Sequence, residues 1–273
     1  MNRNIRFTIA YDGSRYYGWE HQPGTELTIQ GKLETVLERM TGKPVKLIGA
    51  GRTDAGVHAL AMVANVHMDC SMNEEEIRDY MNQYLPEDIS VNEVVFASEK
   101  FHSRYNAVGK TYRYSCYAGP CKPVFDRKYV YVLEQRPDAT AMRRAARLLI
   151  GTHDFKSFCG NPRMKKSTVR EIYSIDILED GDFIHLTFHG SGFLSFCSSI
   201  RRDRFLIFCS GAIHGSGFLP GTCTLLFRNS FLRPHGGAGR PCKKSRHTHS
   251  SDYFVYFTAI PSHHVHSSSQ VRF

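Results

Sequence analysis

The stretch GAGRTDAGVHA, residues 49–59, holds the residue types best suited to chemistry. Gly49, Gly51 and Gly56 let the backbone turn sharply and come close to a ligand. Arg52 and Asp54 stand two residues apart among them. A carboxylate beside a guanidinium stays ionised at neutral pH, as a nucleophile must. Taken alone, an RTD triplet more often marks an ordinary loop ion pair of small energetic weight. His58 closes the stretch as either a base or, more commonly for such a histidine, a packed and hydrogen-bonded ring.

Other candidates are scattered. Arg104 and Lys110 suit contacts to phosphate, and equally suit solvated charges at strand ends. Tyr16, Tyr17 and Trp19 present flat faces for stacking, with core packing the plainer role for Trp19. Arg163, Lys165 and Lys166 form a basic loop that either touches nucleic acid or is simply exposed. His247, His249, His263, His264 and His266 with Cys242 invite a zinc reading. Their spacing fits no standard finger and no paired cysteines accompany them, so metal is not expected.

The elements that must position these residues are legible from periodicity. Ile5, Phe7, Ile9 and Tyr11 alternate with smaller or polar residues, a half-buried strand. Thr28 caps a helix with Ile29, Leu33, Val36, Leu37 and Met40 on one face. Residues 45–50 read as a strand leading into the loop, and residues 62–68 alternate again beyond it. Asn73 and Glu76 start a second helix in capping-box fashion, with Ile77, Tyr80, Met81 and Tyr84 inward. Residues 89–97 form another strand. A similar plan then begins again. Residues 110–117 read as a strand, Asp138 caps a helix that Gly151 closes, and residues 169–178 and 183–188 form a hairpin. Alternating strands favour antiparallel sheets flanked by helices, an α+β fold. The expected layout is residues 1–104 as one subdomain with the catalytic loop, residues 105–194 as a second, and residues 195–273 as a basic tail.

The net charge of +9 suggests a polyanionic partner until the charge is located. Residues 1–194 hold 25 Lys and Arg against 24 Asp and Glu, whereas residues 195–273 hold 10 against 2. The basicity therefore belongs to the tail. No apolar run is long enough for a membrane helix, and the first residues enter a strand pattern with no secretory leader. Eight cysteines without a CxxC pair suit free thiols in a reducing cytoplasm.

Four motifs taken together resemble the TruA family of pseudouridine synthases. They are YDGSRYYGWEHQ (11–22), GAGRTDAGVHA (49–59), FHSRYNAVGKTYRY (101–114) and GTHDFKSF (151–158), in the family's order. The resemblance implies that Asp54 is the essential aspartate, that Arg52 pairs with it and helps displace the target base, and that Tyr112 stacks on the uracil. Asp54 would attack the base at C6 or the sugar at C1′, or act through a glycal route. The freed uracil then turns and rejoins through C5. This isomerisation needs no redox cofactor, ATP or metal. An aromatic face offsets the stacking that the displaced base loses by about 1–3 kcal/mol. The family also implies a homodimer, and uridines 38, 39 and 40 of the tRNA anticodon stem-loop as targets.

The resemblance stops in mid-motif. GSGFL (190–194) resembles the start of a further family segment, a helix that carries a basic residue towards the aspartate. Ser199 stands where that arginine belongs, and Arg201 and Arg202 are out of register. Glu occurs thirteen times before residue 195 and never after it, while the tail holds thirteen Ser, seven His and four Cys. This coincidence predicts a change of reading frame near codon 194, with a lineage-specific extension as the rival account. It also predicts a second subdomain without its last helix and strand, with Ile175, Ile177, Ile184 and Leu186 left uncovered. An RNA-binding remnant without turnover is the alternative outcome of such a loss.

Overall fold

A computed structural model describes residues 2–159, 165–194 and 255–261. In chain order these form β1 (Asn2–Tyr11), α1 (Ile29–Thr41), β2 (Ile48–Gly49), β3 (His58–Asp69), α2 (Glu74–Tyr84) and β4 (Ile89–Ala97). The second half contributes β5 (Ala107–Tyr117), β6 (Tyr131–Val132), α3 (Ala139–Arg147), β7 (Gly151–Asp154), β8 (Val169–Asp180) and β9 (Phe183–Gly190). β10 (Val255–Pro261) comes from the tail. Arg163 and the residues weighed for zinc lie outside the described residues.

The helices begin where their caps require. Thr28 accepts from Gly31 N, Asn73 and Glu76 complete a reciprocal capping box, and Asp138 accepts from Thr140 N and Ala141 N. One apolar face of each then packs on the sheet. Ile29, Leu33 and Leu37 of α1 and Ile77 and Met81 of α2 join Ile5, Phe7, Ile9 and Met62 in the larger core. Burying such side chains contributes about 1.5–3 kcal/mol each before the entropy of ordering them is counted. Met142 and Ala146 of α3 join Cys116, Ile177, Ile184 and Leu186 in a smaller one.

The α+β fold with mainly antiparallel pairing is as expected, and the strands of both halves join in one sheet in the order β4-β1-β3-β10-β5-β9-β8-β7. Pairing is antiparallel except between β10 and β3 and between β5 and β6. β10 makes the continuity, pairing with β3 on one side and β5 on the other. The sequence reading finds no strand in the tail; the run VYFTAIP supplies one because β-branched and aromatic residues suit a strand and pairing uses only backbone groups. The expected exposure of the second core is also corrected. Ile184 and Leu186 are fully buried and Ile177 nearly so, because α3 and Leu133 cover them, while Ile175 packs at the margin.

Smaller departures have local causes. The strand predicted over residues 45–50 pairs only at Ile48–Gly49. Gly151 opens β7 rather than closing α3, which ends on Leu148. Tyr84 is exposed, with Arg39 over its ring at 4.1 Å, so a cation on its face replaces core contact. No helix among the described residues is long and apolar enough to cross a membrane.

Candidate active site

Three segments distant in sequence build the site. The first is the turn after β1. Asp12 accepts from Ser14 N and Oγ at 2.9 and 2.6 Å, and Tyr16 OH donates to Asp88 Oδ1 at 2.6 Å. This turn lies against the second segment, the loop of residues 50–57. Trp19 N donates to Thr53 O at 3.0 Å and Gly56 N to Tyr16 O at 3.3 Å. A Cβ on Gly13 would fall 2.0 Å from Val57 O, so only glycine permits that approach.

The loop presents its polar residues by burying the one between them. Thr53 is buried, and its Oγ1 lies 2.8 Å from Tyr11 OH. Arg52 and Asp54, on either side, are exposed. Burial of Tyr11 raises its phenol pKa well above the ordinary value, so it stays protonated and able to hydrogen-bond Thr53.

β5 is the third segment. Lys110, Tyr112 and Tyr114 alternate along one face of it. Tyr112 packs against the larger core and meets Phe193 edge-to-face at 4.7 Å between centroids. Burial raises both phenol pKa values, with the negative charge of Asp54 adding to the effect; that of Tyr114 is pushed up to about 12. Asp54 therefore lies close enough to both phenols for its charge to act on them. Water reaches Asp54, yet the protein around its carboxyl removes enough hydration to raise its pKa above the ordinary carboxylate value.

The expected Arg52–Asp54 pairing is not what the structure holds. Arg52 Nη2 lies 3.0 Å from Glu20 Oε1, with both side chains largely exposed. The shift of Asp54 is upward and arises from lost hydration, the reverse of what a paired guanidinium imposes. The buried Thr53 separates the two side chains, and Glu20 reaches Arg52 from the first segment.

Arg104 and Arg170 of β8 lie within electrostatic reach of Lys110. Burial lowers the pKa of Lys110, and the charges of Arg104 and Arg170 lower it further. Arg104 is placed by a buried amide network: Asn4 donates to Ser98 O and Phe101 O at 2.8 Å, and Asn65 accepts from Ser103 N at 2.9 Å. Arg170 arrives through sheet register, since Lys110 pairs with Gly190 and Gly190 with Ile172, two residues from it. His58 is 2% exposed, enclosed by Asp12, Gly13 and Tyr129. Trp19 is buried, and Gly49 makes room for its indole.

The sequence reading singles out neither Tyr114 nor Arg170. Period two along β5 was a usable signal for Tyr114, which stands two residues from Tyr112. No local signal marks Arg170, because only the strand order brings β8 near β5.

A family model described as tRNA pseudouridine synthase matches residues 8–106 and 145–196. Curated relatives agree. The tRNA pseudouridine synthase A 2 of Bacillus cereus is 42% identical over 191 residues, which is 70% of this chain and 78% of that protein. The tRNA pseudouridine synthase A of a Bacillus species is 45% identical over the same shares. The tRNA pseudouridine synthase A 1 of Clostridium tetani is 46% identical over 192 residues, again 70% and 78%. Among solved structures, an archaeal box H/ACA sRNP Nop10–Cbf5 complex is 12% identical at a TM-score of 0.32, over 74% of this chain and 43% of that one. On the family match and these identities, the chain belongs to the tRNA pseudouridine synthase family.

Proposed function

We propose that this chain isomerises uridine to pseudouridine at positions 38, 39 and 40 of the tRNA anticodon stem-loop. Asp54 is the nucleophile, Tyr112 the ring that receives the displaced uracil, and Arg52 the cation that helps to displace it. In this role Arg52 exchanges Glu20 for the substrate, an exposed pair of low cost to break. Arg104 and Lys110 take backbone phosphates beside the target. The N1–C1′ bond breaks and a C5–C1′ bond forms; any bond that Asp54 makes to the substrate breaks again, and the proton lost from C5 is matched by one gained at N1, so product and substrate are isomers and no cofactor or metal enters the balance. The enzyme works as a homodimer in the cytoplasm.

One observation carries this reading: Asp54 is exposed on a loop hydrogen-bonded to the N-terminal turn, within electrostatic reach of Tyr112 and Tyr114 on β5. The test is incubation of the purified full chain with an anticodon stem-loop carrying uridine at positions 38 to 40, followed by nucleoside chromatography. Pseudouridine formed in the presence of a chelator is expected. A folded chain that binds the RNA and forms none overturns the proposal.

A catalytically impaired RNA-binding remnant is the second reading, and the motif agreement that ends at Leu194 favours it. On either reading residues 195–273 are the product of a shifted frame. Val255–Pro261 still fills a slot in the sheet, because a strand needs backbone groups and a β-compatible run more than a selected sequence.

A further inference from the structure

Beside the loop that carries Asp54 lies a partly buried polar chain which the reaction itself does not call for. His58 opens β3, four residues after Asp54, and is 2% exposed. Its Nδ1 lies 3.1 Å from Gly13 N and 2.9 Å from Asp12 Oδ1. That nitrogen either accepts the amide proton or, carrying its own, donates to the carboxylate. The second carboxylate oxygen, Asp12 Oδ2, accepts from Tyr129 OH at 3.0 Å. Tyr129 also sets its ring edge-on to His58, 5.3 Å between centroids.

These residues join the two halves of the chain. Asp12 and His58 belong to the first half, and Tyr129 follows β5, which carries Tyr112. We propose that Tyr129 and His58 are positioning residues, which through Asp12 hold the loop bearing Asp54 at a set distance from the rings on β5.

The chain of contacts has little slack. Ser14 N and Oγ fix Asp12 Oδ1 from the side opposite Tyr129. Burial works against the charge of Asp12, but the hydrogen bonds from Ser14 and Tyr129 and the nearby His58 outweigh it and lower the pKa. Asp12 thus remains an acceptor at neutral pH. Gly13 presses on Val57, where a Cβ would come within 2.0 Å of the carbonyl oxygen. Val57 N in turn donates to Asp54 O at 3.2 Å. A shift of Tyr129 relative to Asp12 therefore reaches the Asp54 backbone through three close contacts. His58 serves as a strut rather than a proton carrier, because its ring is enclosed.

The inference rests on the function proposed above. Its test uses the full chain with Tyr129→Phe, His58→Leu and His58→Asn. Two quantities are measured: single-turnover rate against affinity on an anticodon stem-loop, and the titration midpoint of the Asp54 carboxyl by carbon-13 NMR. Tyr129→Phe keeps the ring and loses only the hydroxyl. The rate falls about tenfold, as expected for a displaced reacting group, while RNA affinity holds within about twofold. The Asp54 midpoint moves towards the ordinary carboxylate value. His58→Asn places an amide, able to accept or to donate, near where Nδ1 stands and recovers most of the rate that His58→Leu loses. A Tyr129→Phe protein with unchanged rate and unchanged midpoint overturns the inference. If the wild-type chain makes no pseudouridine while Tyr129→Phe still moves the midpoint, the strut stands and the proposed function falls instead.

Discussion

Gly18 lies so close beneath Thr53 that a Cβ on it would fall 2.6 Å from the Thr53 carbonyl oxygen. Its φ of +99° is a conformation that side chains rarely adopt. The N-terminal turn and the loop of Asp54 thus meet through an absent side chain. Gly18→Ala introduces both strain and a clash, costing about 1–3 kcal/mol. Gly24→Ala is the control, since Gly24 has a φ of +82° but nothing within 4 Å of its Cβ position. Thermal unfolding should show a larger loss for Gly18→Ala, with activity lost below the melting range. Equal losses would remove the clash from the account.

Asp54→Asn keeps the shape of the side chain and removes the nucleophile. Pseudouridine formation should disappear while anticodon stem-loop affinity stays near that of wild type. Turnover close to wild type in this variant would assign the nucleophile elsewhere.

The same substitution has an opposite effect on stability. The pKa of Asp54 is raised in the folded protein by lost hydration, so folding favours its protonated form. A raised pKa contributes stability below the unfolded value, about 3.9, and that contribution is lost as pH rises through the folded value. Asp54→Asn is therefore expected to melt higher than wild type at pH 7, with the gain vanishing below about pH 3.9. A gain that persists unchanged into acid would contradict the sign.

Tyr112→Ala should harm catalysis more than Tyr112→Phe. The ring supplies the stacking face, worth about 1–3 kcal/mol, and its edge contact with Phe193 survives in phenylalanine. Single-turnover rates on an anticodon stem-loop decide the matter. If Phe is as damaging as Ala, the hydroxyl rather than the face carries the role.

For residues 195–273 the coding DNA is the test. One of the other two frames downstream of codon 194 is expected to continue GSGFL into an amphipathic helix with a basic residue, followed by a terminal strand. A corrected chain should gain stability and activity together. Should both frames lack such a helix, the tail is native, and its strand between β3 and β5 is then a true element of the fold.

The sequence by itself determined the parts whose signals are local. Strand alternation, the caps at Thr28, Asn73 and Asp138 and the loop of residues 51–56 are written in neighbouring residues, because backbone preference and side-chain period act over a few positions. Asp54 and Tyr112 were legible as candidates through motif order. Partnership was not. Glu20 takes Arg52, Arg170 joins Lys110, and Tyr129 reaches Asp12 across 117 positions. Such pairings depend on strand order and on which faces are buried. Only the tertiary structure decided that the two halves share one sheet, and that lost hydration rather than an arginine sets the ionisation of Asp54.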